Sequence, residues 1–221
     1  RRRIKAVRVT DAIKVDGILD ESAWSLAPPA TDFLQERPSE GAPASERTEV
    51  RVLFDDQNVY FGMRAFDSDA IHINARDLVR DSNFPNDDRV EIILDTYHDQ
   101  RNAFRFAVNP LGTQQDALIT DEGRDINVSW DGSWLSKGSI DAKGYIVEIA
   151  IPLTTLRFTE GIESWGLNIS RIIRRKNEEN LWTSWQRSFG LERVSQAGEL
   201  TGVTEIRRRR LRDIQPYASW E

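Results

Sequence analysis

The chain has 221 residues, of which 39% are hydrophobic and 30% charged, and its formal charge is −6. This is globular composition, far from the low-hydrophobicity, high-charge range in which chains stay disordered. Cysteine is absent, and there are only two histidines, His72 and His98, and one methionine, Met63. Disulfides, thiolate metal sites and cysteine nucleophiles are therefore excluded, and zinc chemistry or a histidine-dependent triad has little to work with. No apolar run nears the roughly 18 residues of a membrane helix, and Arg1-Arg2-Arg3-Ile4 is not followed by the apolar stretch of a signal peptide. Residues 207–221 hold five arginines against Asp213 and Glu221, a net +3 that leaves −9 on residues 1–206. An acidic body argues against a nucleic-acid surface, and the arginine run reads as a solvated linker.

In chain order, residues 20–27 predict one short helix, opened by an acidic cap and stopped by Pro28-Pro29. Residues 35–47, rich in Pro, Glu and Ser, read as a surface loop. Residues 48–54 place Val50, Val52 and Phe54 on one face, and residues 59–66 follow the turn-forming Asp55-Asp56-Gln57-Asn58 as the second arm of a hairpin. Val90, Ile92 and Leu94 alternate with Arg89, Glu91 and Asp95. Phe104, Phe106 and Val108 alternate with Arg105 and Ala107, up to a turn at Asn109-Pro110-Leu111-Gly112. Residues 134–140 and 145–151 flank Asp141-Ala142-Lys143-Gly144 as another hairpin. Trp165, Leu167 and Ile169 share a face, and residues 181–186 and 200–206 predict two further strands. About ten short strands with turn chemistry between them predict an all-β chain, an antiparallel β-sandwich of jelly-roll or immunoglobulin-like type with one short N-terminal helix. Val52, Ile92, Phe106, Ile149 and Leu167 are its expected core. Residues 1–206 are expected to form the sandwich and residues 207–221 a basic exit from it.

Three groups of residues could carry chemistry. Seven tryptophans are many for this length, and exposed rings stack on sugar C–H faces. Parity sends Trp134, Trp165 and Trp185 to the core and leaves Trp182 the most available. Polar residues on strand faces (Arg89, Glu91 and Asp95; Arg105 and Asn109; Asn168 and Ser170) could form a patch of planar groups suited to vicinal hydroxyls. They could equally form a solvated face with cross-strand pairs such as Glu91 with Arg105. Acidic clusters, including Asp67-Ser68-Asp69, suit calcium or loop solubility.

Taken together, these segments resemble a known family. Val15-Asp16-Gly17-Ile18-Leu19-Asp20-Glu21-Ser22-Ala23-Trp24 resembles the opening motif of family 9 carbohydrate-binding modules, and Thr48 through Tyr60 their first hairpin. Asp88-Arg89-Val90-Glu91-Ile92-Ile93-Leu94-Asp95 resembles the central strand, with residues 144–152 and 165–171 resembling later ones. The resemblance implies a DOMON-like sandwich that binds sugar chains in a slot between two aromatic rings, with calcium in structural roles; Asp67 and Asp69 of the acidic cluster are the candidate ligands for it. By position, Glu91 matches a sugar-contacting residue of the family. Phe84 stands near the position of one sandwiching ring and residues 182–191 cover the other, while the position of the family's sugar-contacting arginine falls on Ala107, with Arg105 two residues away on the same face.

A second resemblance concerns context. Residues 95–102 and 106–116 are similar to the N-terminal domain of certain bacterial outer-membrane proteins, in which such a module precedes a β-barrel. Ile214-Gln215-Pro216-Tyr217 resembles the motif at the start of that barrel. The expected function is a non-catalytic carbohydrate-binding module in the cell envelope, periplasmic or at the outer membrane, joined to a barrel. Phe84 and Trp182 are expected to stack on the sugar, and Glu91, Arg105 and Asn168 to orient its hydroxyls. A structural or plug-like domain of the barrel is the alternative, and a glycoside hydrolase the least favoured reading.

Overall fold

Runs in which every second residue is apolar pair into one of two sheets. A computed structural model describes residues 1–206; the arginine run and the 214–217 motif lie outside the described residues. The strands are β1 (Arg3–Lys5), β2 (Val7–Arg8), β3 (Leu34–Arg37), β4 (Thr48–Phe54), β5 (Asn58–Phe66), β6 (Arg89–Asp95), β7 (Ala103–Val108), β8 (Gln114–Thr120), β9 (Asp125–Asn127), β10 (Leu135–Asp141), β11 (Gly144–Pro152), β12 (Ser164–Ile173), β13 (Glu178–Leu181) and β14 (Gly198–Thr201), with one helix, α1 (Ser22–Leu26). The larger sheet runs β1-β14-β12-β6-β7-β8-β9, with β13 also on β12 and β3 on β13; the smaller runs β10-β11-β5-β4-β2. The chain is all-β, 41% strand and 8% helical, and the sheets form a sandwich.

Local chemistry sets the registers. In the β4–β5 turn, Asp55 Oδ1 accepts the N–H of Gln57 and of Asn58, each at 2.7 Å, which closes the hairpin. In the β7–β8 turn, Asn109 Oδ1 accepts the N–H of Leu111 and Thr113, while Gly112 takes the positive φ of +85° that the reversal requires. The core lies between the sheets, and Val52, Ile92, Phe106, Ile149 and Leu167 are all at most 1% exposed.

Several elements depart from the pattern expected of the sequence. β1 and β2 join β14 and β4 in parallel, so each sheet carries a parallel edge pair in an otherwise antiparallel arrangement. β3 lies inside the proline-rich segment. β8 has a polar inner row in which Asp116 stands opposite Phe106, which hid its period. The strand expected at 181–186 instead ends at Leu181, where β13 leaves β12. Beyond Trp182 the chain crosses the outer face of the larger sheet, and Leu181, Leu191 and Val194 cover Ile93, Ala103 and Ile119. This second apolar layer positions the candidate site.

Candidate functional site

Next to that layer, the outer face of the larger sheet turns polar. Register places Ser170, Glu91, Ala107 and Gln115 in one row across β12, β6, β7 and β8, with Asn168, Ile93, Arg105 and Ala117 in the next. Ala107, in the middle of the first row, is fully buried. Arg105 reaches Gln115 Oε1 and Glu192 Oε1, both at a long 3.4 Å, and its buried Nε has no hydrogen-bond partner. Gln115 Nε2 donates to Asn83 Oδ1 at 3.4 Å. Glu91 pairs with Arg89 on its own strand rather than with Arg105 across the ladder. Glu179 accepts from Arg37 at 2.9 Å and, weakly, from the Ser170 hydroxyl at 3.5 Å.

The electrostatics are crowded. Burial, followed by the charges of Glu36 and Glu91, pushes the Glu179 carboxyl up to about 7. Burial, followed by Glu91, also raises Glu192. Arg37, Arg89 and Arg105 hold this acidic group together. The arrangement offers planar donors and acceptors at loose distances, the chemistry that reads pairs of hydroxyls.

Of the residues expected at the site, Glu91 and Arg105 are brought together here, and three others are not. Phe84 is fully buried, and its carbonyl accepts Arg89 Nη1 at 3.3 Å and Arg174 Nη2 at 3.4 Å. It supports the site from below with its backbone and offers no ring face. Trp182 is 3% exposed and belongs to the main core, packed so closely on Gly198 that a Cβ there would stand 2.6 Å from the indole. Asn168 is fully buried: its Nδ2 donates to Thr183 O and Ser184 Oγ, and its Oδ1 accepts the Thr183 N–H. It fastens the crossing segment to the sheet and cannot orient a ligand in this conformation. Trp182 and Trp185 have exchanged their expected places, because strand parity ends at Leu181. Trp185 is half-buried against the outer apolar layer with Arg2 over its ring, and Phe189 is 38% exposed. Asn83, Gln115, Phe189 and Glu192 were not singled out by the sequence; recognising β8 would have placed Gln115 beside Arg105.

Asp67 and Asp69, the residues expected to hold calcium, pair with basic side chains of the chain itself. Asp67 gives both oxygens to Arg175, at 2.7 and 2.9 Å, with Arg171 a further 3.6 Å away, and Asp69 pairs with His72 Nδ1 at 2.8 Å. Guanidinium groups occupy the lone pairs that a cation would need. Among the described residues, no cluster of three or more His, Asp or Glu side chains is arranged to hold a metal.

Three solved structures share this fold. A family 9 carbohydrate-binding module from Caldicellulosiruptor kristjanssonii in complex with cellotriose is 16% identical over 99% of this chain and 100% of that one, with a TM-score of 0.62. The same organism's module in complex with glucose gives 16% identity, 96% and 100% coverage and a TM-score of 0.62. A Bacteroides uniformis protein proposed to bind carbohydrate gives 10% identity, 91% and 99% coverage and a TM-score of 0.69. No curated protein sequence matches the chain. The profile described as carbohydrate family 9 binding domain-like matches residues 15–192, from the opening motif through the crossing segment to Glu192. The chain belongs to the carbohydrate family 9 binding domain-like family.

Proposed function

We propose that this chain is a non-catalytic module that binds oligo- or polysaccharide on the outer face of the larger sheet, around Glu91 and Arg105. One observation carries the reading: Arg105 is held by two long hydrogen bonds and keeps a buried Nε without a partner. A guanidinium so loosely held, beside Glu91, Gln115 and Asn83, can exchange its neighbours for sugar hydroxyls at little cost. Phe189 and Trp185 are the rings nearest in sequence to Glu192 and take the stacking role that Phe84 and Trp182 cannot. Cellotriose and glucose, found in the Caldicellulosiruptor complexes, are the first ligands to test. Calorimetry with a panel of glucans and xylans, on the wild type and Arg105→Ala, tests it. Saturable binding that Arg105→Ala abolishes supports the site, and binding unchanged by the substitution overturns it.

In the wider reading, the module precedes a membrane β-barrel in the same polypeptide and works in the cell envelope. The support is the sequence motif Ile214-Gln215-Pro216-Tyr217 after the basic run. Fractionation of cells expressing the full-length gene product tests this: recovery in the outer-membrane fraction is expected, and recovery in the cytosol overturns it. A second reading, a scaffold domain without a sugar site, is favoured by the burial of Phe84 and Trp182, the two rings expected to stack on the sugar. Failure of every glycan in the panel selects it.

A further inference from the structure

Away from the polar face, a cavity of about 260 Å³ opens at one end of the sandwich. Leu94, Phe104 and Leu118, at the ends of β6, β7 and β8, form its floor, and Tyr97, Trp130 and Arg157 border it from loops. The Phe104 and Trp130 rings stand 5.2 Å apart at 52°. They form an angled aromatic wall that is already assembled, since Phe106 packs edge-on behind Trp130 at 6.0 Å.

Two features narrow the ligand. The wall is mostly carbon, with threonine hydroxyls and Asn102 at its margins. A sugar ring placed here would leave most of its hydroxyls unpaired, which is costly. A cavity of ~150 Å³ lined by apolar side chains holds a benzene ring, so this one accommodates one ring and a short arm. The second feature is Arg157. Its carbonyl accepts the Thr96 hydroxyl, while among the described residues its exposed guanidinium has no acceptor. A protein of net charge −6 that leaves one arginine free beside an apolar cavity has a complement for an anion there.

We propose that this cavity is a second binding site, for a single-ring aromatic carboxylate whose ring lies against Phe104 and Trp130 and whose carboxylate meets Arg157. It is separate from the sugar-binding face and stands or falls without it.

trans-Cinnamate is the probe and trans-cinnamamide, its neutral analogue, the control. Cinnamate is expected to bind at about 1 mM or tighter, a reasonable affinity for a ligand of this size. Arg157→Gln should weaken cinnamate about three- to tenfold, the range for an ion pair at a partly exposed position, and leave cinnamamide unchanged. Amide shift changes should centre on Ala103, Leu118 and Ile119, with the Trp130 indole N–H. Thr120→Trp, at the margin of the cavity, should abolish binding of both compounds; if that variant does not fold, the shift map on the wild type decides. The proposal is overturned if cinnamate shows no saturable binding up to about 10 mM, if Arg157→Gln binds it as the wild type does, or if the shifts fall elsewhere.

Discussion

Trp134 Nε1 donates to Asp116 Oδ2 at 2.7 Å, and Arg80 Nη2 reaches the same oxygen at 2.8 Å. The carboxylate is fully buried on the inner side of β8, and the Trp134 ring meets Phe106 edge-on at 5.1 Å. A charge inside a sandwich core is tolerated because an indole and a guanidinium both donate to it.

Asp116→Ala removes the acceptor of the buried Trp134 Nε1, while Arg80 keeps Asp131 and the Gly132 carbonyl, and should cost about 1–3 kcal/mol. Asp116→Asn keeps an acceptor and should cost less than half as much. Urea titration of the three proteins separates the two effects.

Gly62→Ala tests the packing of α1 against the smaller sheet. A Cβ on Gly62 would stand 2.7 Å from Leu19 Cδ2 and 2.8 Å from Trp24 Cζ3. Leu19 can turn aside, but Trp24 is 3% exposed and walled in by Leu53, Tyr60 and Ala150. The substitution should destabilise by about 1–3 kcal/mol, the usual cost of overpacking, read as a lower urea midpoint.

Leu167→Ala empties a fully buried position at the middle of the sandwich. The expected loss is about 2–5 kcal/mol, and a loss below about 0.5 kcal/mol in the same titration would contradict the register of β12.

Much of the fold is legible because its central strands alternate cleanly. The pairs β4–β5 and β10–β11, the strand β6 and the five expected core residues all follow from period-2 patterning and turn chemistry. What was not legible depends on contacts distant in sequence. β8 carries Asp116 inward because Trp134 and Arg80 neutralise it, and a sequence does not reveal that pairing in advance. β1 and β2 are short and are held mainly by their neighbours. Strand parity puts Glu91 and Arg105 on the same face of β6 and β7, and the registers agree. Trp182 is buried because the strand ends at Leu181, beyond which parity says nothing, and Phe84, expected at a ring position from the resemblance, lies in a loop and is buried.

The stability of the protein should fall as pH rises through the range set by Glu179. Its carboxyl titrates near about 7 when folded, against an ordinary value of 4.5. Between these values the folded state keeps a proton that the unfolded chain has lost. The contribution is therefore fully present below about 4.5 and is lost as pH passes about 7. Glu179→Gln should reduce the stability difference between pH 5 and pH 7.5 by about 1–3 kcal/mol, at 1.36 kcal/mol per pKa unit. Asp88, raised to about 6 mainly by burial, shares the window, so the comparison of wild type with variant isolates Glu179. Chemical denaturation at the two pH values measures it.

For glycan binding, Glu91→Gln is the better probe than Glu91→Ala, because Glu91 is only 5% exposed and anchors Arg89. It should leave the fold intact while weakening a bound oligosaccharide about ten- to hundredfold, the value of one or two hydrogen bonds to a charged group. Calorimetry beside circular dichroism distinguishes a lost contact from a lost fold.

β1 runs parallel to β14, with Arg3 opposite Glu199 and Lys5 opposite Thr201, and the ladder is extended by Ala6 N–H to Thr201 O and Glu199 N–H to Arg2 O. After the single residue Ala6, β2 is tied to β4 of the other sheet. Tension applied between residue 1 and residue 206 pulls these two parallel strands lengthwise past each other. Their hydrogen bonds then bear the load together instead of opening one at a time, as they would at a hairpin. A strand of three residues is thereby placed as a mechanical clamp between the two ends of the described chain.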